Sequence, residues 1–223
     1  MKDITYVATY SFDLFGTSLT VNISTLINTW IVMAVIIVLA IIGTRSLKGF
    51  PNPARRLAEI YVSAMDKLTR ETLGTTTRTY MPLVSTLFIF LLLSNWLGMI
   101  PGLAEPTKDL NTPLSLAIMG FFLTHTAAIK KKGLVQYLKE YCQPFFIMAP
   151  LNVVGELAKV VSISFRLFGN ILGGAIIISV VSYMVYSLVL PPFLYVFFGI
   201  FVGTIQAFVF TMLTITYISV ATN

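Results

Sequence analysis

Between residues 151 and 174 the chain reads LNVVGELAKVVSISFRLFGNILGG, an apolar run carrying polar residues at steps of three and four. On a helix, Asn152, Glu156, Lys159, Ser162 or Ile163, Arg166, Asn170 and Gly173 share one face. Arg166 lies far from either end of the apolar stretch, so its side chain has little opportunity to snorkel to bulk water. Burying such a charge costs at least about 2.5 kcal/mol on insertion scales, which marks the position as functional. A guanidinium stays protonated at any working pH. It is a fixed positive charge that attracts a carboxylate and repels a leaking cation but cannot itself relay a proton. The structural alternative for Arg166 is an ion pair with Glu156 or a place at an interface. Glu156 and Lys159 can instead pair with each other across one turn, in a structural or entrance-lining role. Gly169, Gly173 and Gly174 allow close helix packing, and beside a mid-membrane arginine they also leave room for a partner that slides past.

A second stripe lies near the C-terminus, where Gly199, Gly203, Gln206, Phe210, Leu213 and Tyr217 recur at helical spacing. It puts two glycines and an amide on one face, with Gln206 either an interhelical hydrogen-bonding residue or part of an ion path. Other chemistry is excluded by counting. Cys142 is the only cysteine, so neither an internal disulfide nor a cysteine-clustered metal site can form. His125, the single histidine, cannot supply paired axial haem ligands and has no evident serine partner for hydrolysis, so a helix contact or the membrane edge is its expected place. No Gly-rich loop with a following Lys and Ser or Thr is present, so the chain is not expected to bind ATP or to catalyse alone, and no cofactor is expected beyond a transported Na+ or H+.

The elements that must position these residues follow from composition. Of 223 residues 57% are hydrophobic and 11% charged, with a mean hydropathy of +0.87, too little polar surface to cover a soluble core. Several apolar stretches reach the roughly 20 residues needed to cross a bilayer as a helix, and alternating barrel strands are not seen. The fold class is all-α and polytopic: a single membrane domain over 1–223, about five embedded helices and one surface amphipathic helix, the last two helices long and tilted. The spans are expected at 23–43, capped by Asn22 or Ser24, then at 81–100, 113–129, 151–186 and 193–221, the last after a turn at Pro191 and Pro192. Residues 54–73 place Leu57, Ile60, Tyr61, Ala64 and Leu68 opposite Arg56, Glu59, Ser63, Lys67 and Arg70, as a helix on the membrane surface does. The formal charge of +6 is read as membrane orientation and not as nucleic-acid binding. Arg45, Lys48, Arg55 and Arg56 follow the first span and Lys130, Lys131 and Lys132 the third, so those flanks are expected in the cytoplasm, with the N-terminus outside and the C-terminus inside. The N-terminus lacks the pattern of a cleaved secretory signal, so insertion is expected to start with the first span.

FRLFGN at 165–170, followed by TIQAFVFTMLTITYIS at 204–219, resembles subunit a of F-type ATP synthases. NWLGMIPG at 95–102 and PLNVVGELAK at 150–159 extend the resemblance in the same order over most of the chain. It implies that Arg166 is the essential stator arginine, with Asn170 and Gln206 near it in the ion path. Asn152, Glu156, Lys159, Ser162, Gly169, Gly173, Gly199 and Gly203 become candidate channel-lining residues. The implied partners are a c-type rotor ring, peripheral-stalk b subunits, a nucleotide-binding catalytic head and membrane lipid. The implied location is an energy-transducing membrane, the bacterial plasma membrane. Many members of that family carry titratable residues where this chain has Ala175 and Gly199, so sodium is favoured over protons as the transported ion. The competing function is a stand-alone secondary transporter with Arg166 and Glu156 in its substrate site, against which the absence of internal repeats argues.

Overall fold

The computed structural model describes residues 9–14, 17–44, 53–74, 77–100, 103–141, 147–184 and 190–222. Five of its helical stretches are long and apolar enough to cross a membrane, in a polytopic all-α body. The first, α1 (Ile23–Thr44), starts where expected: Asn22 Oδ1 accepts the backbone N–H groups of Ser24 at 3.1 Å and Thr25 at 3.4 Å, satisfying two donors at the helix start. The amphipathic α2 (Pro53–Leu73) follows, then α3 (Thr77–Leu97), a single 3-10 turn (Pro106–Lys108) and α4 (Asn111–Lys132). Gly133, at φ 84°, ends α4 in a backbone conformation that a side chain disfavours, and its N–H closes on Ile129 O at 2.9 Å. The short α5 (Leu134–Tyr141) leads to α6 (Met148–Met184), and the C-terminal stretch comprises α7 (Leu190–Val196), a π-helical turn (Phe197–Val202) and α8 (Gly203–Thr222). Arg45, Lys48, Cys142, the Pro101 and Gly102 that end NWLGMIPG, and the last two residues of the span expected at 151–186 lie outside the described residues.

Two details depart from expectation, and the length of α6 agrees with it. An antiparallel hairpin, β1 (Thr9–Leu14) and β2 (Thr17–Asn22), paired from Thr9↔Asn22 to Leu14↔Thr17, precedes α1. Pro191 and Pro192 do not form a turn before the last helix but sit in the first turn of α7. Proline is tolerated there because first-turn N–H groups have no intrahelical acceptor to lose. The 37 residues of α6 run unbroken for about 55 Å, against a hydrocarbon core of about 30 Å, so the helix must tilt or project from the bilayer.

The bundle has two ends. At the link end, residues 103–110 join α3 to α4; Asn28 Nδ2 donates to Ala104 O at 2.8 Å and Thr25 Oγ1 to Asp109 Oδ2 at 3.3 Å, fixing the link to α1. At the lysine end, α4 finishes on Lys130, Lys131 and Lys132, with Lys132 paired to Glu140 of α5 at 2.9 Å. The helix α2 packs on α1, α3 and α8. Tyr61 Oη donates to Ser85 O at 2.6 Å and Ser219 Oγ to Thr72 O at 2.7 Å, and burial pushes the Tyr61 phenol up to about 12. Its buried residues are Met65, Thr69 and Leu73, with Tyr61 and Leu68 half-covered. Leu57, Ile60 and Ala64 of the expected apolar face stay exposed, which leaves them for lipid.

A core of Leu87, Leu91, Ala117, Ile163, Leu167, Ala207 and Phe210 joins α3, α4, α6 and α8. Lipid tails are as apolar as these side chains, so close packing and hydrogen bonds between helices hold the bundle, not transfer from water. Small residues permit that approach. A Cβ on Gly120 would already touch Thr214 Cγ2 at 3.5 Å, and Ala117 and Ala207 lie buried in the same seam.

Candidate functional site

The centre of the site is a bond between the two C-terminal helices: Asn170 Nδ2 of α6 donates to Gln206 Oε1 of α8 at 2.7 Å. Leu167 and Ile163 on one side and Ala207 and Phe210 on the other bring the helices together here. Gln206 is buried, and one turn before it Gly203 lets α3 approach, since a Cβ there would lie 3.0 Å from Asn95 Cβ. Asn95 uses the closeness: its Nδ2 donates to Gly203 O at 2.9 Å and its Oδ1 accepts the Thr107 hydroxyl at 3.0 Å. Trp96 Nε1 adds a bond to Thr204 Oγ1 at 3.1 Å. The π-helical turn lies directly before this point, with the Gly203 N–H shared between Ile200 O and Phe198 O, and it sets Gly199 against Met99, where a Cβ would meet Met99 Cγ at 2.6 Å.

On the link-end side of the Asn170–Gln206 bond a cleft of about 640 Å³ opens between α6, α7, the π turn and the 103–110 link. Asn170, Ala175, Gly199, Gly203 and Gln206 line it, together with Ser179, Ser182, Tyr195, Glu105 and Lys108. Burial pushes the Glu105 carboxyl up to about 7, against the opposing pull of Lys108. Toward the lysine end, a pocket of about 20 Å³ lies between α4, α6 and α8, lined by Glu156, Lys159, Thr124, Thr214 and Tyr217 among others. Lys159 Nζ pairs with Glu156 Oε1 at 2.5 Å and stands 5.1 Å from the centre of the Tyr217 ring, so charge and ring face hold one ammonium.

Arg166 lies one turn from Asn170 on α6, at a level between the two spaces, and is exposed. Among the described residues no carboxylate pairs with it. The structural alternative of an Arg166–Glu156 ion pair is not formed: ten residues separate the two along one helix, about 15 Å, and Glu156 is taken by Lys159. Ser162 and Gly169 are exposed near Arg166, and at Gly155, Gly169 and Gly173 an added Cβ would meet nothing within 4 Å. Gly174 differs from its neighbour, because its missing Cβ is what admits Phe198, 3.0 Å away. Asn152 is half-buried, one turn before Glu156. His125 makes the expected helix contacts: its Nδ1 lies 2.9 Å from Phe121 O, and its ring packs on Phe121 at 3.9 Å and edge-on to Tyr137 at 5.8 Å.

The candidate residues therefore divide three ways: Asn170, Gly199, Gly203 and Gln206 at the cleft, Glu156 and Lys159 at the small pocket, Arg166, Ser162, Gly169 and Gly173 on an open face. Glu105, Ser179, Ser182, Tyr195 and Asn95 were not singled out from the sequence. Ser179 and Ser182 carried a local signal as hydroxyls in an apolar helix, and Asn95 as an amide within the span expected at 81–100 and the first residue of NWLGMIPG.

The family described as ATP synthase A chain matches residues 26–219. The chain belongs to that family. ATP synthase subunit a of Moorella thermoacetica is 41% identical over 88% of this chain and 89% of its own length. ATP synthase subunit a 3 of Pelobacter propionicus is 38% identical over 85% and 83% of the two chains, and the Geobacter sulfurreducens subunit a 34% identical over the same shares. For a member of the ATP synthase A chain family, the matched region takes in all five candidate spans almost whole, both spaces and the arginine between them.

Proposed function

We propose that this chain is the ion-translocating stator subunit of a rotary F-type ATP synthase. It carries a cation between two half-channels separated by Arg166 and couples that flow to rotation of a c-type ring, with peripheral-stalk b subunits holding it and a separate head carrying out nucleotide chemistry. The observation that carries this reading is Arg166, exposed and without an ion-pair partner among the described residues, on a glycine-lined face of α6, level with the gap between the cleft and the small pocket. A ring carboxylate passing along that face meets the guanidinium, favours its ionised form and releases its ion; beyond the arginine it reloads from the other space. A drop of 100 mV contributes about 2.3 kcal/mol per elementary charge, so several ions are needed for each nucleotide made.

The proposed location is an energy-transducing bacterial plasma membrane, with the link end outside and the lysine end in the cytoplasm. Lys130, Lys131 and Lys132 close the last turn of α4, and Arg55 and Arg56 open α2, which supports this orientation. Single cysteines at positions 56 and 131, in a Cys142-free background, are expected to resist an impermeant thiol reagent applied to intact cells and to react in inverted vesicles. Labelling of both from the outside overturns the orientation.

Sodium is the proposed ion, because the cleft presents Ala175 and Gly199 where a proton path uses groups that change protonation, while sodium needs only a hydrated route and oxygen ligands. In the complex reconstituted into vesicles, ATP-driven uptake of radioactive sodium is expected to persist when a protonophore collapses any proton gradient. Absence of sodium uptake alongside protonophore-sensitive acidification replaces sodium by the proton. A stand-alone transporter would instead move its substrate when this chain is reconstituted alone.

A further inference from the structure

The cleft is lined almost entirely by groups that cannot hold a charge or exchange a proton. Asn95, Asn170, Ser179, Ser182 and Gln206 are neutral, and the rest is apolar or glycine except at the link end. There a single carboxyl, Glu105, lines the wall. It is positioned by both neighbours in the fold. Gly98 at the end of α3 lacks the Cβ that would run into the Glu105 side chain, so the glycine makes the seat in which this carboxyl lies. Behind it, Asn28 of α1 holds Ala104 O at 2.8 Å, and the backbone of Lys108 closes on Glu105 O at 3.1 Å, so the residue cannot swing out with a loose loop. Among the described residues no donor satisfies its carboxyl oxygens. A half-buried acid, held in place on the wall of a cleft of about 640 Å³ and unpaired among the described residues, is unusual unless something mobile is to occupy it.

Resting on the stator reading, we propose that Glu105 is the acceptor that first takes the translocated monovalent cation from the link-end side and delivers it into the cleft. In the ionised state its carboxylate binds a proton or a sodium ion; transfer toward Ser182, Ser179 and then the Asn170–Gln206 pair regenerates the carboxylate. Its charged and titratable surroundings are few. Lys108 shares its turn, Asp109 is engaged by Thr25 and Asn111, and Tyr195 of α7 faces the same cleft, whereas α3 and α6 contribute only neutral groups to the lining. The Lys108 ammonium weakens the hold of Glu105 on a second positive charge, which favours release over trapping, and a carboxyl poised about 7 is half-ionised near neutrality and so both accepts and gives up a proton readily.

The test uses the whole complex in vesicles, with ATP synthesis driven by a fixed imposed potential while pH and sodium are varied on the link-end side. With wild-type chain the rate is expected to follow the ionisation of one group with a midpoint near 7. Glu105→Gln is expected to slow synthesis by at least about tenfold and to abolish that midpoint, while Glu105→Asp restores part of both. If the cation is sodium, Glu105→Gln also raises the half-saturating sodium concentration at pH 8; if it is the proton, sodium has no effect in either chain. Wild-type rates with unchanged pH and sodium dependence in Glu105→Gln overturn the proposal. Should that variant fail to assemble, Lys108→Gln decides: loss of the ammonium moves the midpoint to higher pH, and an unmoved midpoint overturns the assignment. Arg166→Ala, run beside them, separates the two levels. Continued coupling in that variant defeats the stator reading itself, whereas lost coupling there with an indifferent Glu105→Gln defeats only the role of Glu105.

Discussion

Arg166→Ala is expected to reduce cation-driven ATP synthesis by the assembled complex to background, while the detached head still hydrolyses ATP at its normal rate. A guanidinium and a carboxylate about 4 Å apart attract by about 4 kcal/mol at an effective dielectric of about 20, or about a thousandfold in the ionisation equilibrium of the passing acid. Removing the charge forfeits that bias and opens a route for cations to leak between the two spaces. Among the described residues nothing nearby takes over, since Glu156 and Lys159 neutralise one another about two to three turns away. Arg166→Lys is expected to be severely impaired as well, because an ammonium lacks the planar fork and loses its proton more readily when desolvated. Synthesis assays in vesicles and hydrolysis assays on the released head check both halves, and near-normal synthesis by an assembled Arg166→Ala complex would remove the arginine from the mechanism.

The second large effect is on assembly of the cleft. Asn95 is 2% exposed and Thr107 fully buried, and between them and Gly203 runs the chain of hydrogen bonds that ties α3 and the 103–110 link to α8. Asn95→Leu keeps the branched shape but leaves the Thr107 hydroxyl without its acceptor and cuts the bond to Gly203 O. Losing both partners of a buried amide costs about 2–4 kcal/mol, which for a chain of this size lowers a melting midpoint by roughly 5–15 °C. Thermal release of this chain from the detergent-solubilised complex should show it. Asn95→Asp keeps an acceptor for Thr107 but sets a buried carboxylate against Gly203 O, so it is expected to lower the midpoint at least as far, and a wild-type midpoint for Asn95→Leu would show that the tie contributes nothing.

Much of this architecture was legible in the sequence because lipid imposes a simple demand. A spanning segment must be apolar for about 20 residues and satisfy its own backbone, so runs such as 23–44 declare themselves, and polar residues left inside them stand out. The stripe on α6 is an example: Glu156, Lys159 and Asn170 share its repeat, and the structure finds partners for all three. What stayed hidden depends on distant packing. Glu105 sits in an ordinary polar link, and only the fold shows that Gly98 seats it against the cleft. The hairpin did leave a trace, since Tyr10, Phe12 and Leu14 alternate with Thr9, Ser11 and Asp13, and Leu19 and Val21 alternate with Ser18 and Thr20. That period-two pattern was masked by its brevity beside a much stronger helical signal. Nothing in FFGIFV forecasts a π turn, and its close neighbours, Met99 beside Gly199 within the turn and Asn95 beside Gly203 directly after it, lie far away along the chain.

That π turn also acts as a phase shifter. An α-helix turns about 100° per residue, so accommodating one additional residue offsets everything before the turn relative to everything after it by about that angle. Counted at about 100° per residue, Tyr195 and Gln206 would lie within about 20° of each other on a plain α-helix; with the turn between them they line the cleft from directions set apart. Removing one residue within 197–202 would let the turn relax to a regular α-helix while Tyr195 and Gln206 keep their facing, because the π turn is where the additional residue is absorbed. In aligning or engineering this segment, a one-residue gap therefore belongs within 197–202, where it is absorbed, and not in the helices on either side, where it would rotate them by about 100°.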